Sequence, residues 1–584
     1  MVHSVFRPLR SRSQTVFWLS LSLTFAAIYS FLALRIAFSS DFVVQDDARQ
    51  HVFWMQRFMD STLFPNDWIA DYFQSVAPWG YQWLYHGAAL VGIDPLLFSK
   101  ILPPILSLIT AALCFGVTIQ ILPVPVAGFC ASVLLSQALA MTDAIFSATP
   151  KAFIYPLFLA FLYYLLRRSP LPCAISLGLL GLFYPQVMLV GAGVLVLRLG
   201  MWDRGRLKIV TDGRDRQVCI TGLVAAFVVL LPYVVLPNPF GPVVTAEAAR
   251  RMPEFLPGGR SAFFDDANPW SFWTKGRGGL RLESILTPAT NALGLLLPLC
   301  IRFPARLPLV RALTRNVVLL PQLLITSLGL FALAHLLLFK LHLPSRYTEH
   351  SLRVLLTISA GIVITVVMDA LIQWAFPGSP AESNGSTDVA QRSPLKTTAA
   401  IAGTGLLSAL LVFYPAFVAE FPIPRYEIGT EATLYRYLRS QPPDTLIASL
   451  DNEANNLPTF AQRPILTGDE YALPYHVGYY TEIRKRTSDL IQAQYSLEPS
   501  QVRSLIEEYG IDFWLVRSSA FNPKYLQNNP WLQQYQPAAE DAIATLDAGQ
   551  LPVLQTVVPT CTLLESDRLA LLETQCILNI LSAD

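Results

Sequence analysis

Aspartates gather close together just after the first long apolar run. Asp46, Asp47, Asp60, Asp67 and Asp71 all fall in the segment 41–82, among Trp54, Trp68 and Trp79. A carboxylate at a membrane surface can take a proton from an acceptor hydroxyl, or hold a divalent cation. Asp46 and Asp47 open a helical pattern that runs to Met59. Asp47 with Gln50 three residues on also matches a capping box, and an acid in a first turn suits the helix dipole. Capping accounts for Asp47 and leaves Asp46 as the first choice for a base. Two further segments carry charge at the ends of apolar runs. Asp143 and Lys151 bracket DAIFSATPK, and Arg346-Tyr347 lie in LHLPSRYTEHSLR. Arginine grips phosphate through paired N–H bonds, and lysine can serve as a point charge. The plainer reading of Arg346 and Lys151 is that they snorkel beside headgroups.

The elements that must position these residues are membrane spans. Of 584 residues, 53% are hydrophobic and 14% charged, and the mean hydropathy is +0.44. A soluble protein of this length needs far more charge to cover its surface. Apolar runs fall near 15–38, 96–121, 125–142, 152–166, 171–199 (a hairpin of two short arms), 217–236, 285–301, 317–340, 353–375 and 398–419. That makes about eleven transmembrane helices, each near the length a bilayer needs. Basic clusters set the sidedness, because they stay cytoplasmic. Arg7, Arg10 and Arg12, then Arg167-Arg168, then Arg204 to Arg214, then Arg302 to Arg315 agree on one arrangement. The N-terminus is inside, the first outer loop (39–95) and the long outer loop (237–284) are outside, and residues 377–396 form a flexible inner linker. Residues 1–420 are read as the transmembrane domain. In residues 421–584, helix and strand patterns alternate: a helix at Tyr435–Leu438, strands at Thr445–Ser449, Pro464–Thr467 and Phe513–Val516, and a helix at Ser500–Tyr509. This predicts an extracytoplasmic α/β domain with no nucleotide-binding glycine fingerprint. Cys561 and Cys576 stand alone there, and their pairing is left open. Nothing in the charge pattern suits nucleic acid.

The opening acidic pair, the helix after it and the turn Phe64-Pro65-Asn66-Asp67-Trp68 resemble the polyprenyl-phosphate-dependent GT-C glycosyltransferases. Protein mannosyltransferases and the aminoarabinose transferases of lipid A show an Asp-Glu pair at this place. Here the second acid is Asp, and Gln50-His51 stand where an aromatic is common. Asp143 at an outer helix end and Arg346-Tyr347 at an outer turn are similar to that family's second acid and its Arg-Tyr motif. The resemblance implies an inverting transfer of sugar from a polyprenyl-phosphate donor, at the non-cytoplasmic face of a bacterial inner membrane, to an unidentified acceptor. Asp46 would be the base, and Asp47 or Asp143 would orient the acceptor or bind a metal. Arg346 and Tyr347, with Lys151 and His51, would bind substrate. A divalent cation is left open. The alternative is a transporter or lipid-glycan-binding membrane protein without catalysis. It predicts charges at mid-membrane, whereas here they gather at helix ends, His335 apart.

Overall fold

The computed structural model describes residues 12–203, 206–209, 212–376 and 394–583. Arg7, Arg10, Arg204 and most of the 377–396 linker lie outside these. The chain is an integral membrane protein. Among the described residues, six helices are long and apolar enough to cross a bilayer: Arg12–Ala37, Pro95–Ile121, Gly213–Tyr233, Arg315–Leu336, Pro344–Ala375 and Pro394–Phe417. The other apolar runs form shorter helices of 10–17 residues. Proline opens several of them, at Pro125, Pro150, Pro170 and Pro185. It fixes φ for a first turn but cannot continue a helix already running. The 171–199 hairpin therefore breaks at Tyr184, between Pro170–Phe183 and Pro185–Leu199.

Four elements position the acidic stretch: α1 (Arg12–Ala37), β1 (Val43–Gln45), α2 (Asp46–Val52) and α3 (Pro95–Ile121). After α2 the chain tightens into a 3-10 turn at Phe53–Phe58, so the predicted helix to Met59 is regular only in its first half. Asp94 starts α3 by accepting from the Leu97 amide at 2.9 Å, and it also receives Gln56 Nε2 at 2.9 Å. That second bond ties the acidic stretch to a membrane helix.

Next come α4 (Pro125–Ala140) and α5 (Glu349–Ala375), which cross at close range. A Cβ on Gly361 of α5 would lie 2.6 Å from the Ala131 nitrogen of α4. Small residues let membrane helices approach in this way. Gly361→Leu is expected to force the pair apart and cost about 1–3 kcal/mol or more. A lowered thermal unfolding midpoint in detergent would register it.

Beyond the last long helix, β2 (Tyr426–Ile428) pairs antiparallel with β1, Val43 opposite Ile428 and Gln45 opposite Tyr426. A separate four-stranded sheet follows, built from β3 (Ile447–Ala448), β4 (Phe513–Arg517), β5 (Thr562–Glu565) and β6 (Leu569–Glu573). Its order is β3-β4-β6-β5, with β3 and β4 parallel and the other pairs antiparallel. Pro464–Thr467, predicted as a strand, contributes only the bridge of Ile465 to Ile447. The predicted helix at 500–509 runs Pro499–Tyr509 and ends on Gly510, whose φ of 65° suits a residue without Cβ.

One apolar core joins membrane helices to this region, from Leu134, Leu162 and Ile362 through Phe53 and Trp54 to Leu457, Tyr471 and Tyr479. A second core, around Ile491, Leu505, Trp514 and Leu572, lies wholly beyond residue 447. Cys561 and Cys576 are joined by a disulfide across a sequence separation of 15. Closing so short a loop is worth about 3 kcal/mol in the chain-entropy account. Replacing both cysteines by serine should lower the denaturant midpoint correspondingly.

The long outer loop is not a free strand. Glu254 is fully buried and accepts from Tyr480 at 2.7 Å, and it also pairs with Arg484. Arg260 donates to the Asp469 carbonyl at 2.8 Å and to Glu470 Oε2 at 2.6 Å. Further along the same segment Trp270 is 75% exposed. His335, the ionisable group inside the ninth predicted span, donates through Nε2 to the Gly278 carbonyl of this loop at 2.8 Å in the tautomer so assigned.

Candidate functional site

Pairing of β1 with β2 fixes where α2 begins. The Asp46 amide donates to the Arg425 carbonyl at 3.1 Å. Gln45, not Asp47, caps the helix: its Oε1 accepts from the Ala48 amide at 3.2 Å. The capping-box reading of Asp47 and Gln50 is therefore corrected. Gln50 instead donates to the Glu470 carbonyl. With the cap supplied by Gln45, both acids of the pair are free to make other contacts.

They make different ones. Asp47 forms an ion pair with Lys151, whose ammonium also lies 2.9 Å from Asp143 Oδ2. Arg425 stands 3.9 Å from the same Asp143 oxygen. Asp46 joins a second network. It accepts from Arg49 Nη2 at 2.9 Å, and Arg49 in turn reaches Asn456 Oδ1 at 2.8 Å and Glu470 at 3.6 Å. The sequence reading preferred Asp46 as base, but it is Asp47 that meets Asp143, Lys151 and the charge of Arg346.

Local structure explains why the three groups converge. The loop from Asp143 to Lys151 is tied to itself and to its surroundings. Ser147 donates its amide to the Asp143 carbonyl at 3.0 Å, and its hydroxyl lies 2.9 Å from that of Thr149. Tyr85 holds the Ala148 carbonyl at 2.9 Å, at a residue whose φ is 51°. The side chains of Lys151, Asp143 and Asp47 keep 17%, 22% and 32% exposure, so the cluster opens to one side.

The electrostatics follow from the packing. Burial pushes the Asp47 carboxyl up, but the charge and hydrogen bond of Lys151, with His51 and Arg346 further off, outweigh it and hold the group down at about 2. Asp47 is thus a carboxylate throughout the working range. Burial pushes the His51 imidazole below its ordinary value despite Asp47, so His51 is neutral at neutral pH. Its ring packs edge-on to Phe73 at 5.5 Å.

Arg346 comes from the short turn Pro344–Tyr347 that leads into α5. Its Nε is buried and has no hydrogen-bond partner among the described residues. A buried guanidinium N–H left unmatched is costly unless a ligand completes it. Tyr347, grouped with it from sequence, is buried, and its hydroxyl donates to the Leu341 carbonyl at 2.8 Å. It braces the turn.

A polar layer lies behind the cluster that sequence reasoning did not single out. Tyr155 Oη is 3.0 Å from His350 Nδ1 and also receives Arg353. Glu349 lies 3.7 Å from Arg353 and accepts from Ser284 Oγ at 2.9 Å. The spacing of Glu349 and Arg353, one helical turn apart, was a readable sign. Tyr184, at the proline break of the hairpin, packs against His350 with ring centroids 5.9 Å apart. The remaining acids of the opening segment are structural. Asp71 pairs with Arg57 at 2.7 Å, and Asp60 accepts from Thr62. Asp67 caps the helix Trp68–Val76, and burial raises its carboxyl to about 6. Among the described residues, no three His, Cys, Asp or Glu side chains gather as a metal-ligating group.

No family model matches the chain, and no curated protein does either. Among the solved structures similar to it are two of the oligosaccharyltransferase of Archaeoglobus fulgidus. The form tethered with an acceptor peptide containing the NVT sequon via a disulfide bond superposes with a TM-score of 0.50 at 13% identity. The apo form gives 0.52 at 11% identity, and each match covers 90% of this chain and 72% of the other. Identities so low bear on the fold alone, and that fold is the GT-C fold.

Proposed function

We propose that this chain of GT-C fold is a membrane glycosyltransferase that takes a sugar from a polyprenyl-phosphate donor at the non-cytoplasmic face. What supports the reading is the meeting of Asp47, Asp143, Lys151 and Arg346, residues that lie far apart in sequence. A carboxylate beside an incompletely bonded guanidinium is what sugar transfer from a lipid phosphate requires: one group for the acceptor hydroxyl, one for the departing phosphate. The acceptor oxygen attacks the anomeric carbon as the bond from that carbon to the phosphate oxygen breaks. The bonding pair leaves with the polyprenyl phosphate, the hydroxyl proton passes to Asp47, and the anomeric configuration inverts. A carboxylate held at about 2 is a weak base. It therefore accepts the proton late, when the oxygen has already become acidic. Asp143 and Lys151 orient Asp47, and the disulfide between Cys561 and Cys576 suits an oxidising compartment outside the cytosol.

The test is a transfer assay with purified chain in nanodiscs, radiolabelled polyprenyl-phosphate sugars and a cell-envelope extract as acceptor. Label should leave the lipid, with polyprenyl phosphate accumulating in step. Tight binding of the donor with no release of label would favour the non-catalytic alternative. Passage of intact donor across the bilayer would favour a transporter.

A further inference from the structure

We propose that the Lys151 ammonium is this site's own cation, standing between Asp47 and Asp143 where a divalent metal ion would otherwise bridge them. Its statement about ion binding is independent of the chemistry. Its corollary, transfer without a metal, rests on the glycosyltransferase reading above.

The argument is one of donors and charge. A hard divalent cation fills about six oxygen positions, several of them with water, but needs its protein carboxylates free to bind it. The cluster offers two carboxylates, and both are already committed to one ammonium, Asp143 Oδ2 at 2.9 Å and Asp47 by its ion pair. No third acid, histidine or cysteine completes a ligand group among the described residues. Lys151 is also held in place covalently. It sits in the turn Pro150–Phe153 at the head of the helix Ile154–Leu166, on the loop that Tyr85, Ser147 and Thr149 fix. A metal entering between the carboxylates would have to displace that ammonium, leaving Lys151 and Arg346, both of which act on Asp47, beside a dication. Repulsion at such range in a half-buried site is severe.

The same arrangement reassigns Lys151. An ammonium shared by two carboxylates is not free to grip phosphate, so phosphate falls to Arg346. Asp47 and Asp143 balance Lys151 and Arg346, with Arg425 as a further, more exposed cation at the edge of the cluster, before donor binds. A donor phosphodiester bears one negative charge, which a single guanidinium can match through paired bonds.

Manganese alone is the probe. The purified full chain, dialysed against chelator, is titrated with Mn2+ while the free-ion EPR signal is followed. The wild-type chain is expected to leave the signal unquenched, and chelator is expected to leave the transfer rate unchanged. Lys151→Met, which keeps the length of the stem and removes the charge, is expected to open the pair to Mn2+. Stoichiometric Mn2+ on the wild-type chain that disappears when Asp47 and Asp143 are both replaced by Asn, in a variant whose unfolding midpoint in detergent matches wild type, would overturn the proposal. A chain that binds no Mn2+ and transfers no sugar would uphold the ion assignment while removing the glycosyltransferase reading.

Discussion

Asp47→Asn is expected to lower transfer by roughly 10²–10⁴-fold, the range over which a positioned proton acceptor acts. The substitution keeps the volume and leaves Lys151 paired with Asp143, so the chain should still fold, with a modest drop in its unfolding midpoint from the lost pair. Asp46→Asn is the matched control. Its partner is Arg49, which keeps Asn456 and Glu470, and most of the activity should survive. The reverse ranking, with Asp46→Asn inactive and Asp47→Asn active, would return the base to Asp46. The pH profile carries a second mark. Lys151 is what holds the Asp47 carboxyl low against burial. With a neutral residue at 151, burial raises that carboxyl. The acid limb of the rate profile, which lies below the working range in wild type, should then climb toward neutrality.

Arg346→Ala should reduce transfer by about 10²–10³-fold, as removal of one preorganised charge-stabilising donor does. The loss should appear in the turnover number as well as in donor affinity, because charge builds on the phosphate as the bond breaks. Arg346→Lys restores the charge without the fork of two N–H groups and should recover only part of the rate. A merely interfacial arginine would give a different result: unchanged kinetics and, at most, altered stability. The buried, unmatched Nε argues against that, since a snorkelling side chain keeps its head in water.

The legible and illegible parts of this chain divide along physical lines. Apolar runs were readable because a bilayer imposes length and composition locally; six of them form helices long enough to cross one, and the run at 285–301 is in large part a 3-10 stretch over Ala289–Leu296. How far each helix extends was less readable. Proline at the start of four short ones sets the length, and packing decides the rest. Asp143, Lys151 and Arg346 could be named as single residues at helix ends. That Lys151 sits between Asp47 and Asp143 could not, because it depends on a loop geometry set by Tyr85 and Ser147. The choice between Asp46 and Asp47 failed to be readable for a smaller reason. Gln45 is a weaker capping residue than Asp, so the pattern pointed to the wrong cap. The 562–573 hairpin was missed because its apolar residues look like any short run until β4 pairs with them.

The pairing of β1 with β2 has a consequence in time as well as in space. Asp46 and Asp47 are made well before the strand that aims them: Gln45 donates to the Pro424 carbonyl, 379 positions later. While the ribosome works through the intervening helices, the acids have emerged but the strand that aims them does not yet exist. A chain halted before residue 424 carries Asp47, Asp143, Lys151 and Arg346 and still lacks the fixed start of α2. The fixed start of α2 therefore arrives only once residues 424–428 have been made and have closed on β1.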